Sequence, residues 1–201
     1  MPLKTLSEIE SEINRIAILL GANEPPDGKE STWWWDSIPV CGNIQAPGYR
    51  GTGDTGVARI LVEQDGYHLF GRDRGAEYSL MVTEDFETLL FFSFEDVIHY
   101  MATNHAYATN NSWPGLTPQQ AWYRRTYARE VDLYALISPA LAQRHIAKFP
   151  AHMQQFLHDD NRTARVNRFR EKLAIGPSRA YAWEAAHAQF PHIEITQPPT
   201  E

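Results

Sequence analysis

The sequence predicts an α+β fold in which a small antiparallel β-meander is packed by a central buried helix and several further helices. Three observations lead to this prediction. An amphipathic helix opens the chain, strand-like segments joined by turn residues occupy positions 57–82, and helical periodicity dominates the residues that follow. Of the 201 residues, 43% are hydrophobic and 12% are aromatic, which is enough apolar surface for a core and argues against disorder along the whole chain.

The opening helix is predicted from Leu6 to Leu20. Its apolar residues recur at helical spacing, while glutamates and an arginine occupy the other face. Thr5 and Glu8 have the spacing of a capping box, and Gly21 stands where a C-terminal glycine is favoured. This helix packs one face on a core and carries no chemistry of its own.

A loop insert rich in Trp, Gly and Pro is predicted at about 23–56. It contains the consecutive residues Trp33, Trp34, Trp35 and Asp36. Successive side chains of a strand alternate between faces, so the three indoles cannot all enter one core. Two interpretations stay open: an aromatic anchor for a binding partner, or a tryptophan pair that covers the core beneath a long loop.

The meander is predicted from three strands, at 57–63, 67–70 and 77–82. Asp65-Gly66 is a strong signal for a two-residue hairpin turn, and Asp73-Arg74-Gly75 predicts the second turn. Antiparallel strands of this kind commonly bury one face and leave the other open.

Helices are predicted for most of the remaining chain. Thr83 is expected to cap a long, buried helix that reaches Tyr107, and Thr117 and Gln120 form a second capping box. A basic helical C-terminal extension is expected at about 161–196, and its arginines are interpreted as an exposed helix face. The predicted helices after residue 115 are 118–137, 139–149, 161–175 and 180–189.

The charge of the chain is divided unequally. Residues 1–100 hold 17 acidic and 7 basic side chains, whereas residues 101–201 hold 8 acidic and 11 basic ones. An acidic first half can steer a basic partner toward it, or it can be a solvated surface without a partner. The net charge of −7 disfavours general nucleic-acid binding. No apolar segment reaches about 18 residues, which argues against a membrane span. The N-terminus does not resemble a signal peptide, and Cys41 is the only cysteine, so we expect a cytoplasmic protein.

Catalytic and metal-binding motifs are not evident. The glycine-rich stretch 47–56 lacks the lysine of a phosphate-binding loop and leads into a strand, and the eight histidines show no H-x-x-x-H spacing. Glu95 and His99 are one helical turn apart and can pair, and the enzyme alternative places them with His105 in a cleft. We therefore predict no catalytic residues, no cofactor and no metal.

Four sequence features together resemble a known family. They are the strand Gly66-Tyr67-His68, the turn Arg74 to Glu77, the segment Thr83 to Val97 followed by Met101-Ala102, and the pair Arg124-Arg125. The combination is similar to family sixty-three of the immunity proteins of bacterial polymorphic-toxin systems, over roughly residues 6–150.

The resemblance implies a single immunity-type domain over residues 1–201 that binds and neutralises a cognate toxin domain and has no enzymatic activity. We expect a monomer or weak dimer that binds neither nucleic acid nor membranes. A small enzyme with an acid–histidine site and a non-catalytic adaptor are the alternatives. The predicted toxin-binding residues lie in the acidic half of the chain, and they are Trp33, Trp34, Trp35, Asp36, Asp54, Asp65, Asp73 and Glu77. Charge reversals at Arg162, Arg165 and Arg168 test the alternative that the toxin binds the basic C-terminal face.

Overall fold

A computed structural model describes residues 2–21, 40–41, 59–73, 76–108 and 116–192. The chain comprises two compact units, Met1–Met101 and Ala102–Glu201, which we call the N-terminal and C-terminal units. The α+β fold class is confirmed. The assignment of one immunity-type domain to the whole chain stays a prediction.

Helix α1 of the N-terminal unit spans Leu6–Leu20, as the sequence predicts. The Thr5 hydroxyl accepts a hydrogen bond from the Glu8 backbone N–H, and the Glu8 carboxylate accepts one from the Thr5 N–H. Gly21 ends the helix with φ of 80°, a left-handed conformation that glycine adopts without steric cost. The buried stripe of α1 consists of Ile9, Ile13, Ile16, Ala17 and Leu20.

Four strands form the sheet, in the order β1-β2-β3-β4. They are β1 (Val40–Cys41), β2 (Arg59–Glu63), β3 (Gly66–Asp73) and β4 (Ala76–Thr83). Strands β2, β3 and β4 make the predicted antiparallel meander, and β1 adds a short parallel pairing to β2.

The first hairpin turn lies one residue earlier than the sequence predicts. Glu63 pairs with Gly66, so the two turn residues are Gln64 and Asp65, and Gly66 is the first residue of β3. Gly66 has φ of 137°, and a Cβ there would lie 2.6 Å from the Thr83 carbonyl oxygen. The glycine is required by this close approach of β4 as well as by the turn.

The predicted Thr83–Tyr107 helix is two helices, α2 (Phe86–Ser93) and α3 (Glu95–Ala108). Asp85, and not Thr83, caps α2, because the Asp85 carboxylate accepts a hydrogen bond of 3.0 Å from the Thr88 N–H. The helix ends at the fully buried Phe94, whose ψ of 4° departs from the helical range. The segment that local periodicity predicts as one helix is therefore interrupted at a buried core residue.

The C-terminal unit contains five further helices in its described part, and one of them begins with the predicted capping box of Thr117 and Gln120. Their bounds are α4 (Pro118–Ile137), α5 (Pro139–Ala147), α6 (Ala151–Phe156), α7 (Arg162–Ile175) and α8 (Arg179–Gln189).

Helix α4 is the centre of this unit. It packs against α5 and α7, and α7 in turn packs against α8. Its buried side chains include charged residues beside apolar ones, for example Arg124, Glu130 and Asp132. Among the described helices of the whole chain, none combines the length and apolarity that a bilayer crossing requires.

Candidate functional site

The sheet of the N-terminal unit has one buried and one open face. Ile60, Tyr67 and Leu69 point to the buried face, where the ring of Tyr67 lies 5.8 Å from that of Phe86 at the start of α2. The strand register places alternate residues on the opposite side. We call that side the open face; it is formed by Arg59, Leu61, His68, Phe70, Glu77 and Val82, of which Glu77 and Val82 are exposed and the other four are half-buried.

Strand β4 is the edge of the sheet within the described residues, since it pairs with β3 alone. It exposes three large apolar side chains: Tyr78 is 48% exposed, Leu80 53% and Val82 46%. The register shifts beside Leu80, between the pairs Leu69–Met81 and Phe70–Ser79. An eight-residue edge strand with apolar side chains is a template for pairing with another chain unless something covers it.

Two polar side-chain contacts lie at the ends of the open face. The Arg59 guanidinium donates two hydrogen bonds to the Glu77 carboxylate, with 2.8 Å between Arg59 Nε and Glu77 Oε1, and it lies 4.9 Å above the Phe70 ring. Asp65 Oδ1 and His68 Nε2 are 2.7 Å apart at the other end of β3. Asp65 keeps 69% of its side chain exposed despite this contact.

These contacts distinguish two of the predicted binding residues, Asp65 and Glu77. Asp65 and Glu77 lie near opposite ends of β3, about 20 Å apart at the rise of an extended strand. Asp65 is the accessible carboxylate, because Glu77 is engaged by a bidentate arginine. Sequence reasoning did not identify the apolar side chains that β4 exposes, and strict alternation does not describe them, because the register shift beside Leu80 places Tyr78 and Val82 on opposite faces of the sheet.

Most of the other predicted binding residues lie outside the described residues. These are Trp33, Trp34, Trp35, Asp36 and Asp54. The backbone of Asp73 is placed, and its pairing with Ala76 agrees with a two-residue second turn. The binding role of all six residues stays a prediction.

The acid–histidine combination of the enzyme alternative is not concentrated in one unit. Glu95 is half-buried and His99 is exposed, one turn apart on α3 in the N-terminal unit. His105 belongs to the C-terminal unit, where burial, with Arg129 and other nearby cations, lowers its pKa to about 4.

A buried ionic cluster occupies the C-terminal unit, and we define it as Asp132, Asp159, Arg162 and Arg165. Arg165 donates to both carboxylate oxygens of Asp132, at 2.8 and 3.0 Å, and to Asp159 Oδ2 at 2.6 Å. Arg162 Nε lies 3.6 Å from Asp132 Oδ1, and its Nη2 donates to the Leu157 carbonyl at 2.6 Å. Burial alone would raise the pKa of the Asp132 carboxyl, but His192 and Arg165 hold it well below its ordinary range.

The interpretation of the C-terminal arginines as an exposed face is therefore wrong for two of them. Arg162 and Arg165 are buried on the same side of α7 as Val166 and Phe169. Arg168 is partly exposed and pairs with Glu171 one turn later, and Arg170 donates to the Leu136 carbonyl at 2.7 Å. Two of the three arginines whose charge reversal would test this face, Arg162 and Arg165, are internal, so reversing them would disrupt the core.

A cleft of about 780 Å³ lies beside the ionic cluster in the C-terminal unit. Its lining combines apolar side chains such as Ala142, Ile146 and Val166 with polar ones such as Asp159 and Arg162. The lining residues all fall between 135 and 170, so the cleft contains none of Glu95, His99 and His105. Its lining does include His158 and Asp160, whose Nε2 and Oδ1 atoms are 3.5 Å apart, but both side chains are largely exposed.

The comparison with protein families gives one match. Residues 63–151 match the model of the family Immunity protein 63. The resemblance seen in the sequence is thereby confirmed over this segment. No curated protein and no solved structure matched the chain.

The Immunity protein 63 segment begins at the last residue of β2 and ends at the first residue of α6. It contains the whole of β3 and β4, and with them most of the open face and the exposed edge. Helices α7 and α8 follow it, so Arg165 and the histidines after it lie outside the match.

Proposed function

We propose that this protein is an immunity protein that binds a cognate toxin domain through the open face and β4, and thereby neutralises it. The observation that carries the proposal is that the segment matching Immunity protein 63 includes β4, which exposes apolar side chains and, within the described residues, pairs with β3 alone. Immunity requires a stable fold and one complementary surface, and it requires no active site. The cytoplasm of the producing cell is the proposed place of action.

The exposed strand β4 can supply binding affinity and can fix how a partner strand aligns with it. A partner strand can pair with the outer edge of β4 through backbone hydrogen bonds, while Leu80 and Val82 enter apolar pockets of the partner. Exposed apolar side chains clustered on one surface are typical of interaction sites. Desolvation of these side chains would supply most of the binding free energy.

Electrostatics favours a toxin with a basic surface. The first half of the chain has a net charge of −10, from 17 acidic and 7 basic side chains. Toxins that act on nucleic acids or nucleotides need basic clefts, and an acidic partner accelerates the encounter with such a cleft. Asp65 is the described carboxylate best placed to contribute, because it is exposed at the tip of the first hairpin.

The tryptophan-rich insert remains part of the proposal. Trp33, Trp34 and Trp35 with Asp36 would form an aromatic anchor, and Asp54, Asp73 and Glu77 would join Asp65 in a charged rim. Truncation of a true anchor residue costs about 2 kcal/mol or more of binding free energy. Rim charges mainly change the association rate and its dependence on salt.

Protection without turnover separates this proposal from the enzyme alternative. Glu95→Gln and His99→Ala should preserve protection, provided that the variants melt at the wild-type temperature. Loss of protection at unchanged thermal stability would instead favour a catalytic acid–histidine pair. An adaptor without a toxin partner would give no protection, either as the wild type or as these variants.

The experiment is co-expression in bacteria with the toxin domain encoded next to this gene. The proposal predicts that growth is rescued and that the two proteins are recovered together at a 1:1 ratio on a tag. Leu80→Glu should abolish rescue, whereas the matched control Ile175→Glu, at an exposed aliphatic residue of the C-terminal unit, should retain it. Failure of the wild-type protein to rescue growth would contradict the proposal.

A further inference from the structure

Three side chains with metal-ligating atoms converge in the C-terminal unit. They are Asp132 on α4, His187 on α8 and His192 just after α8, and their ligand atoms all lie within 4.8 Å of one another. We propose that they bind a divalent transition-metal ion of the zinc class. This inference is independent of toxin binding, because it concerns residues of the other unit, and both histidines lie outside the Immunity protein 63 segment.

The spacing suits such an ion after a small contraction. Zinc binds imidazole nitrogen and carboxylate oxygen at about 2.0–2.2 Å, which places tetrahedral ligand atoms about 3.3 Å apart. His192 Nε2 is already 3.0 Å from Asp132 Oδ2. The rings of His187 and His192 have centroids 4.9 Å apart, and metal binding would require the His187 nitrogen to move closer to the other two ligand atoms.

One of the proposed ligand atoms takes part in no hydrogen bond among the described residues. His187 Nε2 is buried and has no hydrogen-bond partner there. Buried polar atoms are normally paired, and one that is not calls for a physical explanation. A bound metal ion would satisfy this nitrogen, whereas the present contacts of its ring are aromatic, with Trp183 at 5.7 Å and His105 at 6.5 Å between centroids.

The surroundings hold the ligands in position. Arg165 holds the Asp132 carboxylate through the bonds of 2.8 and 3.0 Å. His187 is confined between the rings of Trp183, His105 and His192. Groups that orient metal ligands in this way contribute to affinity as much as the ligand set does.

The charges select the class of ion. Arg165 already compensates the carboxylate of Asp132, and Arg129 lies 3.7 Å from the centre of the Trp183 ring. A hard cation such as Mg²⁺ or Ca²⁺ relies on uncompensated carboxylates and would bind poorly here. Two imidazoles with one carboxylate suit zinc and its neighbours in the first transition row.

The ion would connect the segment that follows α8 to α4, the central helix of the C-terminal unit. The segment after α8 is already held by Arg165 Nη1, which donates to the Phe190 carbonyl at 3.2 Å, and by Asn161 Nδ2, which donates to the Pro191 carbonyl at 2.9 Å. A metal ion joining His192 and His187 to Asp132 would connect this segment, α8 and α4 at one point. Three protein ligands leave the fourth tetrahedral position to water, and the role inferred for the ion is to join these three segments.

The test uses the purified full chain, freed of metal by a chelator and then dialysed. Titration calorimetry with ZnCl₂ should show one ion per chain, and Co²⁺ should give visible absorption bands of a tetrahedral site. At a free zinc concentration about 100 times the dissociation constant, the unfolding midpoint should rise by roughly 5 °C. His187→Phe, which keeps an aromatic ring, and His192→Gln should each weaken binding about 100-fold, since even supporting residues cost 10- to 100-fold.

Two matched histidine variants complete the design. His158→Asn removes an exposed imidazole of the same unit, and His68→Asn removes one from a second group of potential ligands, Glu63, Asp65 and His68, on the first hairpin. Both variants should bind zinc as the wild type does. Absence of binding in the wild type, unchanged binding in folded His187→Phe and His192→Gln, or loss of binding in His68→Asn would overturn the proposal. Circular dichroism of the metal-free variants establishes that they are folded.

Discussion

Arg165 donates hydrogen bonds from two nitrogens to the Asp132 carboxylate, at 2.8 and 3.0 Å. The two residues are 33 positions apart in the sequence, and neither side chain is exposed to solvent. The pair joins α7 to α4, the central helix of the C-terminal unit. Since a buried charge is costly unless it is paired, each of these residues requires the other.

Asp132→Asn should therefore destabilise the C-terminal unit strongly. The substitution keeps the shape of the side chain but removes one of the two carboxylates that compensate the buried Arg165 and leaves it with Asp159, and breaking a buried pair costs about 3–5 kcal/mol. Urea unfolding in the presence of a chelator measures the change. Arg168→Ala is the control, because its partly exposed pair with Glu171 contributes about 1 kcal/mol at most.

The double variant Asp132→Leu, Arg165→Met gives the complementary result. Replacing a buried pair by apolar residues of similar volume is often neutral, so the double variant should be more stable than Asp132→Asn. An Asp132→Asn protein that unfolds at the wild-type urea concentration would show that the pair does not hold α7 on α4.

The C-terminal unit should also lose stability in mild acid. Burial, with Arg129 and other cations, lowers the pKa of His105 from 6.5 to about 4, so the folded protein keeps this imidazole neutral while the unfolded chain takes up a proton below pH 6.5. The free energy of unfolding should fall as the pH decreases from 7 toward 4, by up to about 3 kcal/mol from this group. His187, whose pKa burial lowers to about 3, adds a change of the same sign.

His105→Phe isolates this contribution. The variant retains an aromatic ring beside His187 and has no group to protonate, so its stability should depend less steeply on pH than that of the wild type. Unfolding curves at several pH values in chelator measure both slopes. Equal slopes for the two proteins would contradict the assignment of a buried, neutral His105.

Cys41 should react slowly with thiol reagents in the native protein. Burial, assisted by the negative charge of Glu10, raises the pKa of its thiol to about 12, and at pH 8 the reactive thiolate is then on the order of one part in ten thousand. Absorbance with a disulfide reagent measures the rate, and the protein in urea is the control. A native rate equal to the urea rate would mean that Cys41 is not held within the sheet.

Local sequence signals predicted the elements that local interactions determine. Thr5 with Glu8 and Thr117 with Gln120 form their capping boxes, because the partners are three residues apart and need no tertiary contact. The division of the predicted Thr83–Tyr107 helix at Phe94 was not foreseen, since burial of that ring depends on the packed core. The turn before Gly66 was displaced by one residue because the approach of Thr83 also fixes this glycine.

Long-range charge pairing was beyond sequence reasoning. The arginines of α7 suggested a solvated stripe, and their distant partner Asp132 gave no local indication of the pair. A signal was nevertheless present: Arg162, Arg165, Val166 and Phe169 share the helical spacing of one face, which places two arginines on the buried side. The exposed apolar side chains of β4 were not foreseen either, because their exposure depends on which face of the sheet is packed, and the register shift beside Leu80 interrupts the alternation.

The measurement that tests the central proposal most directly is the affinity of this protein for the toxin domain encoded beside it, with and without an intact open face. Val82→Glu should weaken binding about 30-fold, which corresponds to about 2 kcal/mol, mainly by faster dissociation. Asp65→Lys should slow association at low salt and have less effect at high salt. Ile175→Glu should bind as the wild type does. Wild-type affinity in both Val82→Glu and Leu80→Glu, with a stable fold, would contradict binding through the open face and β4.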